Sequence, residues 1–237
     1  CLNENVRNLI VNSMKFSETS LENLKEVELD FSNFTHNTQL FFFPNNNVEV
    51  TPKEIIVHQR GDTAFNHYVW EENVLKHNFK PLPDMFKLTC LDKENNLYDI
   101  DVLDCKSSPI FGYVINTSRL HWRKEMEERF EDNPEEAKAY AEKHRFCING
   151  EGLTEDEIRE QKQNLANKIF AIGYMLHRFK SPSRAWAPQA MDNKIGENGE
   201  CNGRSGKSFL FKTLSLFMKS VKLSGRNPKL MDNPHVF

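Results

Sequence analysis

The most informative part of the sequence is Gly203-Arg204-Ser205-Gly206-Lys207-Ser208. A Gly-Lys-Ser triplet that opens a helix behind a glycine-rich turn is a recurrent way of holding a nucleoside triphosphate. Backbone N–H groups and the helix N-terminus face the phosphates, the lysine reaches the outer phosphates, and the serine hydroxyl coordinates Mg²⁺. The stretch therefore predicts a loop that binds ATP and Mg²⁺.

The loop departs from the consensus at one position. The pattern G-x-x-x-x-G-K-[ST] has a glycine where this chain has Cys201. Gly196, Gly199 and Gly203 keep the nearby backbone permissive. Two interpretations stay open: a phosphate-binding loop, which the apolar helical pattern behind it favours, and an ordinary glycine-rich surface turn.

The flanks of the loop predict the β–P-loop–α–β unit that opens an α/β, AAA+-like P-loop NTPase domain. A buried strand should enter the loop at residues 185–192, although Pro188 lacks the N–H that a sheet uses. Apolar residues between 209 and 218 predict a helix, and residues 220–224 predict a short strand. This domain would occupy residues 184–237.

That domain is incomplete as a motor. A P-loop ATPase needs a later strand that brings an acidic residue to the metal, and the sequence shows no such strand after the loop. The first residue is Cys1 rather than methionine. We therefore expect a C-terminally truncated piece of a longer polypeptide.

The part before the motor predicts an α+β accessory region, with a β-rich portion at residues 1–118. Phe41, Phe42 and Phe43 could form a base-stacking platform, but three aromatics before Pro44 favour a buried strand. Residues 97–103 stay ambiguous between strand and loop. Predicted strands are 39–43, 48–51 and 54–58, and predicted helices are 4–14 and 21–27.

A helical region is predicted at residues 119–183. Residues 119–130 are rich in helix formers, and Pro134 stands where a second helix should begin. Thr154 and Glu157 have the spacing of a capping box, and an apolar stripe continues for about 25 residues behind them. The stripe favours a core-facing helix.

Composition limits the class of protein. The net charge is −3, but residues 180–237 hold 10 lysines and arginines against 4 acidic residues, a net of +6 around the predicted loop. The five cysteines are scattered without metal-ligand spacing, which favours a reducing, cytoplasmic setting. No apolar run approaches the roughly 18 residues of a membrane span, so no membrane partner is expected.

The sequence resembles the primase-helicases of phages and integrated mobile elements, which are superfamily 3 helicases of the poxvirus primase-helicase type. Residues 41–57 with 68–70 also look like the small domain that precedes the motor in that family. The segments that carry the resemblance are Asn164-Leu165, Ile172-Gly173-Tyr174-Met175-Leu176-His177, Lys180, Asp192 and residues 203–210.

The resemblance implies an ATP-driven motor that forms a homo-oligomeric ring and moves along single-stranded DNA in the cytoplasm of a bacterial host cell. Lys207 would be the catalytic residue, contacting the β- and γ-phosphates, and Ser208 would hold Mg²⁺. The family's acidic motif, sensor and arginine finger would lie beyond Phe237. The implied nucleotide-binding residues are Gly203, Arg204, Ser205, Gly206, Lys207, Ser208 and Phe209.

Two other functions stay open. The loop could belong to an unrelated P-loop kinase or NTPase, although a kinase usually places its loop near the start of its domain. Alternatively, residues 1–180 could form a DNA-binding or assembly module without ATPase activity of its own, in which case their DNA binding should depend on salt.

Overall fold

The structure is a computed structural model that describes residues 28–62, 64–191 and 206–223. The helices predicted at 4–14 and 21–27 lie outside the described residues, and so do Gly203, Arg204 and Ser205 of the predicted loop.

The first sheet confirms the three predicted strands near the start of the described chain. Strands β1 (Gln39–Phe42), β2 (Asn46–Val50) and β3 (Ile55–Gln59) are antiparallel in the order β1-β2-β3. Phe42 and Phe43 are each 6% exposed, so the aromatic run is mainly a buried strand, as its apolar pattern predicts.

A second β-hairpin packs against the main core. It pairs β4 (Phe86–Asp92) with β5 (Leu97–Val102), and residues 97–102 therefore form a strand where the sequence alone left strand and loop open. Asp92 organises the turn by accepting a hydrogen bond from the backbone N–H of Glu94 at 2.9 Å. On β5 the side chain of Ile100 is fully buried.

Helix α1 (Pro109–Ser118) was not expected from the sequence. Its residues include β-branched, glycine and aromatic types with weak helix propensity. Ser108 caps it by accepting a hydrogen bond from the N–H of Phe111 at 3.2 Å, and Val114 and Ile115 are buried. Capping and burial together outweigh the weak propensity.

The helix predicted at 119–130 is wrong as a single regular helix. The α-helical conformation of α1 ends at Ser118, and residues Arg123–Glu128 form a short π-helical segment instead. The helix prediction for this stretch rested on residue propensity alone, which tertiary contacts can override. Here the buried contact between Arg119 and Glu125 accompanies a different backbone path. Helix α2 (Pro134–Lys143) confirms the predicted start at Pro134, with Asn133 as its cap.

Helix α3 (Glu155–Leu176) is the longest element of the described chain. Thr154 and Glu157 form the predicted capping box: Glu157 Oε2 accepts from the Thr154 N–H at 2.7 Å, and Thr154 Oγ1 accepts from the Glu157 N–H at 3.3 Å. The helix has 22 residues, slightly fewer than expected, and Leu165 on its apolar stripe is fully buried.

The main core lies between β5, α1 and α3. Beyond α3, the backbone N–H of Arg178 donates to Gln39 Oε1 at 2.8 Å, which joins the end of this helix to the first sheet. Leu210, from the C-terminal helix, packs against the core. The buried cluster consists of Ile100, Phe111, Val114, Ile115, Ile148 and Leu165.

Only the helix of the predicted β–P-loop–α–β unit forms within the described residues. Helix α4 (Lys207–Thr213) continues into a 3₁₀ turn at Leu214–Leu216. The strands predicted on either side are wrong for the parts that the structure describes, because residues 185–191 and 220–223 are irregular. Trp186, Met191 and Val221 are exposed, Pro188 lacks a donor, and no described strand pairs with either segment.

Candidate phosphate-binding cavity

Helix α4 begins at a glycine whose conformation other residues rarely adopt. Gly206 has φ of +80° and its carbonyl oxygen accepts hydrogen bonds from the N–H groups of Phe209 at 2.9 Å and Leu210 at 3.3 Å. The Tyr113 hydroxyl donates to the same oxygen at 2.6 Å. A Cβ at position 206 would lie 1.8 Å from that hydroxyl oxygen, so both backbone and space require glycine here.

A cavity of about 460 Å³ opens beside this helix start. It lies between α1, α3, α4 and the irregular residues 188–191. The described part of its wall mixes amide, hydroxyl and apolar side chains with three cations, and it contains no aspartate or glutamate. The wall consists of Tyr113, Thr117, Arg119, Leu120, Asn164, Asn167, Lys168, Ala171, Met175, Pro188, Gln189, Ala190, Met191, Gly206, Lys207, Leu210 and Phe211.

Lys168 is the most unusual group in the cavity wall. Its ammonium donates to the backbone carbonyl oxygen of Thr117, and within the described residues no carboxylate lies at ion-pair distance from it. Burial lowers the pKa of Lys168 to about 8, because removing an ammonium from water disfavours its charged form. The cavity thus contains a partly desolvated cation that has no counter-charge among the described residues.

Arg119, by contrast, has its charge balanced. Its guanidinium forms an ion pair with Glu125, and the two side chains are only 3% and 0% exposed. The Tyr140 hydroxyl donates to Glu125 Oε1 at 2.8 Å and accepts from the Glu151 N–H at 3.0 Å. Burial raises the pKa of Tyr140, so its hydroxyl keeps the proton that it donates.

This buried pair has a structural role at the edge of the cavity. Arg119 directly follows α1, and its guanidinium also lies 4.3 Å from the ring centre of Trp122. An ion pair with so little exposure holds the chain in one path, because separating the charges would leave both of them buried. The other two cations among the described wall residues are Lys168 and Lys207.

The structure brings two of the sequence-predicted site residues to the cavity. Gly206 and Lys207 form part of its wall. Ser208 is exposed and is not among the wall residues, while the Phe209 ring packs edge-to-face on Tyr113 at 4.9 Å. Gly203, Arg204 and Ser205 lie outside the described residues, so their predicted roles stay predictions.

Sequence reasoning missed the side chains that complete the cavity. Lys168 and Tyr113 stand 39 and 93 positions before Lys207 and Gly206 respectively, and no local pattern marks them. One signal was present: residues 161–191 contain five lysines and arginines and no acidic residue. A long acid-free basic segment before a glycine-rich loop could have indicated an anion-binding face.

The cavity fits a phosphorylated ligand better than a protein-held metal. Excess cations and the absence of carboxylates among its described wall residues suit phosphate oxygens. Within the described residues no group of three or more His, Cys, Asp and Glu side chains is arranged to hold a metal ion. Mg²⁺ would accordingly reach this site with the phosphates and its waters.

Comparisons of the chain with models of protein families, with curated proteins and with solved structures find no match. No helix among the described residues is both long and apolar enough to cross a membrane. The function proposed below therefore rests on this chain's own residues.

Proposed function

We propose that the chain binds ATP with Mg²⁺ through residues 203–208 and belongs to an ATP-dependent DNA helicase of the primase-helicase type. The observation that carries the proposal is the described part of the cavity wall beside Gly206 and Lys207, which bears cations and no carboxylate. The Gly-Lys-Ser pattern and the basic C-terminal portion support it independently.

Each residue of the proposed site has a defined task. The Lys207 ammonium neutralises the β- and γ-phosphates, and the Ser208 hydroxyl orients the Mg²⁺ that bridges them. Gly206 allows the left-handed turn that opens α4 and the close contact with Tyr113, whose hydroxyl donates to the Gly206 carbonyl oxygen. Gly203, Arg204 and Ser205 would supply further backbone N–H groups.

A nucleotide-binding experiment with two lysine variants tests the proposal. Lys207→Ala should weaken binding of a fluorescent ATP analogue by about tenfold or more, since a charge-assisted contact to phosphate is lost. Lys212→Ala is the matched control, because Lys212 lies on the same helix, is exposed and is outside the cavity wall. Equal affinity of both variants and the unaltered chain would contradict the proposal.

The same proposal includes a homo-oligomeric ring around single-stranded DNA. ATP-dependent assembly, followed by light scattering with and without an oligonucleotide, tests this part. A chain that binds ATP but stays monomeric under all these conditions and transfers phosphate to a small acceptor would instead be a P-loop kinase.

A second candidate function, nucleic-acid binding without ATPase activity, is favoured by an aromatic surface. Phe170, Tyr174 and Trp186 have ring centres 5.6 to 6.3 Å apart, and Phe170 and Trp186 are 57% and 59% exposed. Lys180 Nζ lies 4.4 Å from the centre of the Tyr174 ring. Aromatic rings beside cations are typical of sites that stack single-stranded bases.

Replacing one ring of this aromatic surface tests the second candidate. Trp186→Ala should weaken binding of an oligothymidine by about fivefold or more, because one stacked base is lost. Trp70→Ala is the control: Trp70 is 65% exposed and stacks on Phe31, but acidic Glu71 and Glu72 follow it. Equal loss in both variants would point away from the aromatic surface.

A further inference from the structure

We infer that Lys168 is a second phosphate-binding cation of the cavity, acting with Lys207 on the same ligand. The inference rests on the proposed nucleotide site and deepens it. It assigns a binding role to a residue on α3, which lies well before the glycine-rich loop in the sequence.

The first argument is electrostatic. A lysine that loses much of its hydration needs a carboxylate, several acceptors or a bound anion to offset the cost. Lys168 has one acceptor, the Thr117 carbonyl oxygen, and no carboxylate partner within the described residues. Of its three N–H donors, two are left for the cavity that it lines.

The second argument is the contrast with the other cations of the same region. Arg119 is balanced by Glu125, and the Lys162 ammonium, which precedes Lys168 on α3, lies 2.8 Å from Asp99 Oδ1. Lys168 differs from both because it lines the cavity that Lys207 also lines and no carboxylate of the described residues pairs with it. Two lysines around one cavity match the charge of an oligophosphate better than that of a single carboxylate.

We also expect anion binding in the cavity to be linked to protonation of Lys168. Burial lowers the pKa of Lys168 to about 8, and an anion beside the ammonium would raise it again. Binding should then take up protons near pH 8, and affinity should fall as the pH rises through the raised pKa of the complex. Among the described residues, the other charged or titratable groups that line the cavity are Tyr113, whose pKa burial raises, Arg119 and Lys207, and residues 188–191 contribute none.

The test compares ATP and adenosine binding to the full chain and to Lys168→Gln. Glutamine removes the charge and keeps a donor for the Thr117 carbonyl oxygen. We expect ATP to bind about tenfold more weakly and adenosine to bind equally well, because only the phosphates meet Lys168. Lys168→Arg should restore much of the ATP affinity, and exposed Arg159→Gln on the same helix should have no effect.

Three outcomes decide the matter. Unchanged ATP affinity in Lys168→Gln, with loss in Lys207→Ala, would overturn the inference and leave the proposed function standing. Absence of ATP binding to the unaltered chain would overturn both. Loss of ATP affinity with equal loss of adenosine affinity would also overturn the inference, because it would indicate a general disturbance of the cavity.

A measurement on the unaltered chain guards against misfolding of the variants. Calorimetric titration with ATP near pH 8, in two buffers of different ionisation enthalpy, should show net proton uptake. Proton uptake that is absent in Lys168→Gln supports the inference, and no uptake by the unaltered chain contradicts it.

Discussion

The hydroxyl of Tyr113 donates a 2.6 Å hydrogen bond to the carbonyl oxygen of Gly206, across 93 positions of sequence. This bond joins the middle of α1 to the residue that opens α4. The two residues also fit sterically, because the hydroxyl oxygen occupies the place that a side chain at position 206 would need. Lys207, which lines the cavity, directly follows this contact in the chain.

Tyr113→Phe should lower both stability and nucleotide affinity. Loss of the hydroxyl removes one hydrogen bond and should reduce the free energy of unfolding by about 1 kcal/mol. Denaturant titration measures this loss, and Tyr68→Phe, at a ring that is 40% exposed, should cost less than about 0.5 kcal/mol. Equal stability of Tyr113→Phe and the unaltered chain would show that the bond contributes little.

Gly206→Ala should destabilise the chain more than Gly152→Ala. The two glycines share a left-handed backbone, with φ of +80° and +79°, so alanine meets about 1 kcal/mol of backbone strain at either site. At Gly152 nothing lies within 4 Å of the new Cβ, whereas at Gly206 the Tyr113 hydroxyl oxygen lies at 1.8 Å. Urea unfolding of the two variants measures the difference.

A double variant then isolates the clash. Adding Tyr113→Phe to Gly206→Ala removes the hydroxyl oxygen and leaves the nearest ring carbon at 2.9 Å. The alanine should therefore cost less in the phenylalanine background than in the unaltered chain. Strict additivity of the two substitutions would contradict the direct contact.

Glu125→Ala should be among the most destabilising single changes in the described chain. It leaves the buried Arg119 guanidinium without its counter-charge, which should cost about 3 to 5 kcal/mol. Arg159→Ala breaks an ion pair between exposed side chains, with Arg159 60% and Asp156 86% exposed. This substitution should cost less than about 0.5 kcal/mol. A small effect of Glu125→Ala in thermal unfolding would mean that water reaches Arg119.

Acid should weaken the start of α3 through Glu157. Hydrogen bonds from Lys124 and then from the Thr154 N–H lower the pKa of Glu157 to about 2, from an ordinary value of 4.5. The lowered pKa means that ionised Glu157 stabilises the fold above about pH 4.5, and this stabilisation is lost as the pH falls toward about 2.

Melting temperatures between about pH 5 and about pH 2 check this expectation. The fall in melting temperature over this range should be smaller in Glu157→Gln than in the unaltered chain. Glu155→Gln, in the same first turn of α3, is the matched control and should keep the full pH dependence. Identical slopes for the two variants would exclude Glu157 as the source.

Elements with strong local signals were predictable from the sequence. The alternation and turn residues around Pro52 predicted the strands of the first sheet, and Thr154 with Glu157 predicted where α3 begins. Helix α1 and strand β4 were not predicted, because their residues acquire these conformations through burial against α3 and pairing with β5. For residues 119–130, helix propensity predicted one continuous helix. The structure instead has an interrupted path there, which the buried ion pair of Arg119 and Glu125 accompanies.

The candidate site divides in the same way. The Gly-Lys-Ser motif, the helix that starts at Lys207 and the basic charge around them could be read from the sequence, because they depend on neighbouring residues. The hydrogen bond from Tyr113 to Gly206 and the cavity that Lys168 and Lys207 both line are visible only in the tertiary structure. Contacts across tens of residues follow from how helices pack on a common core, and no local spacing records them.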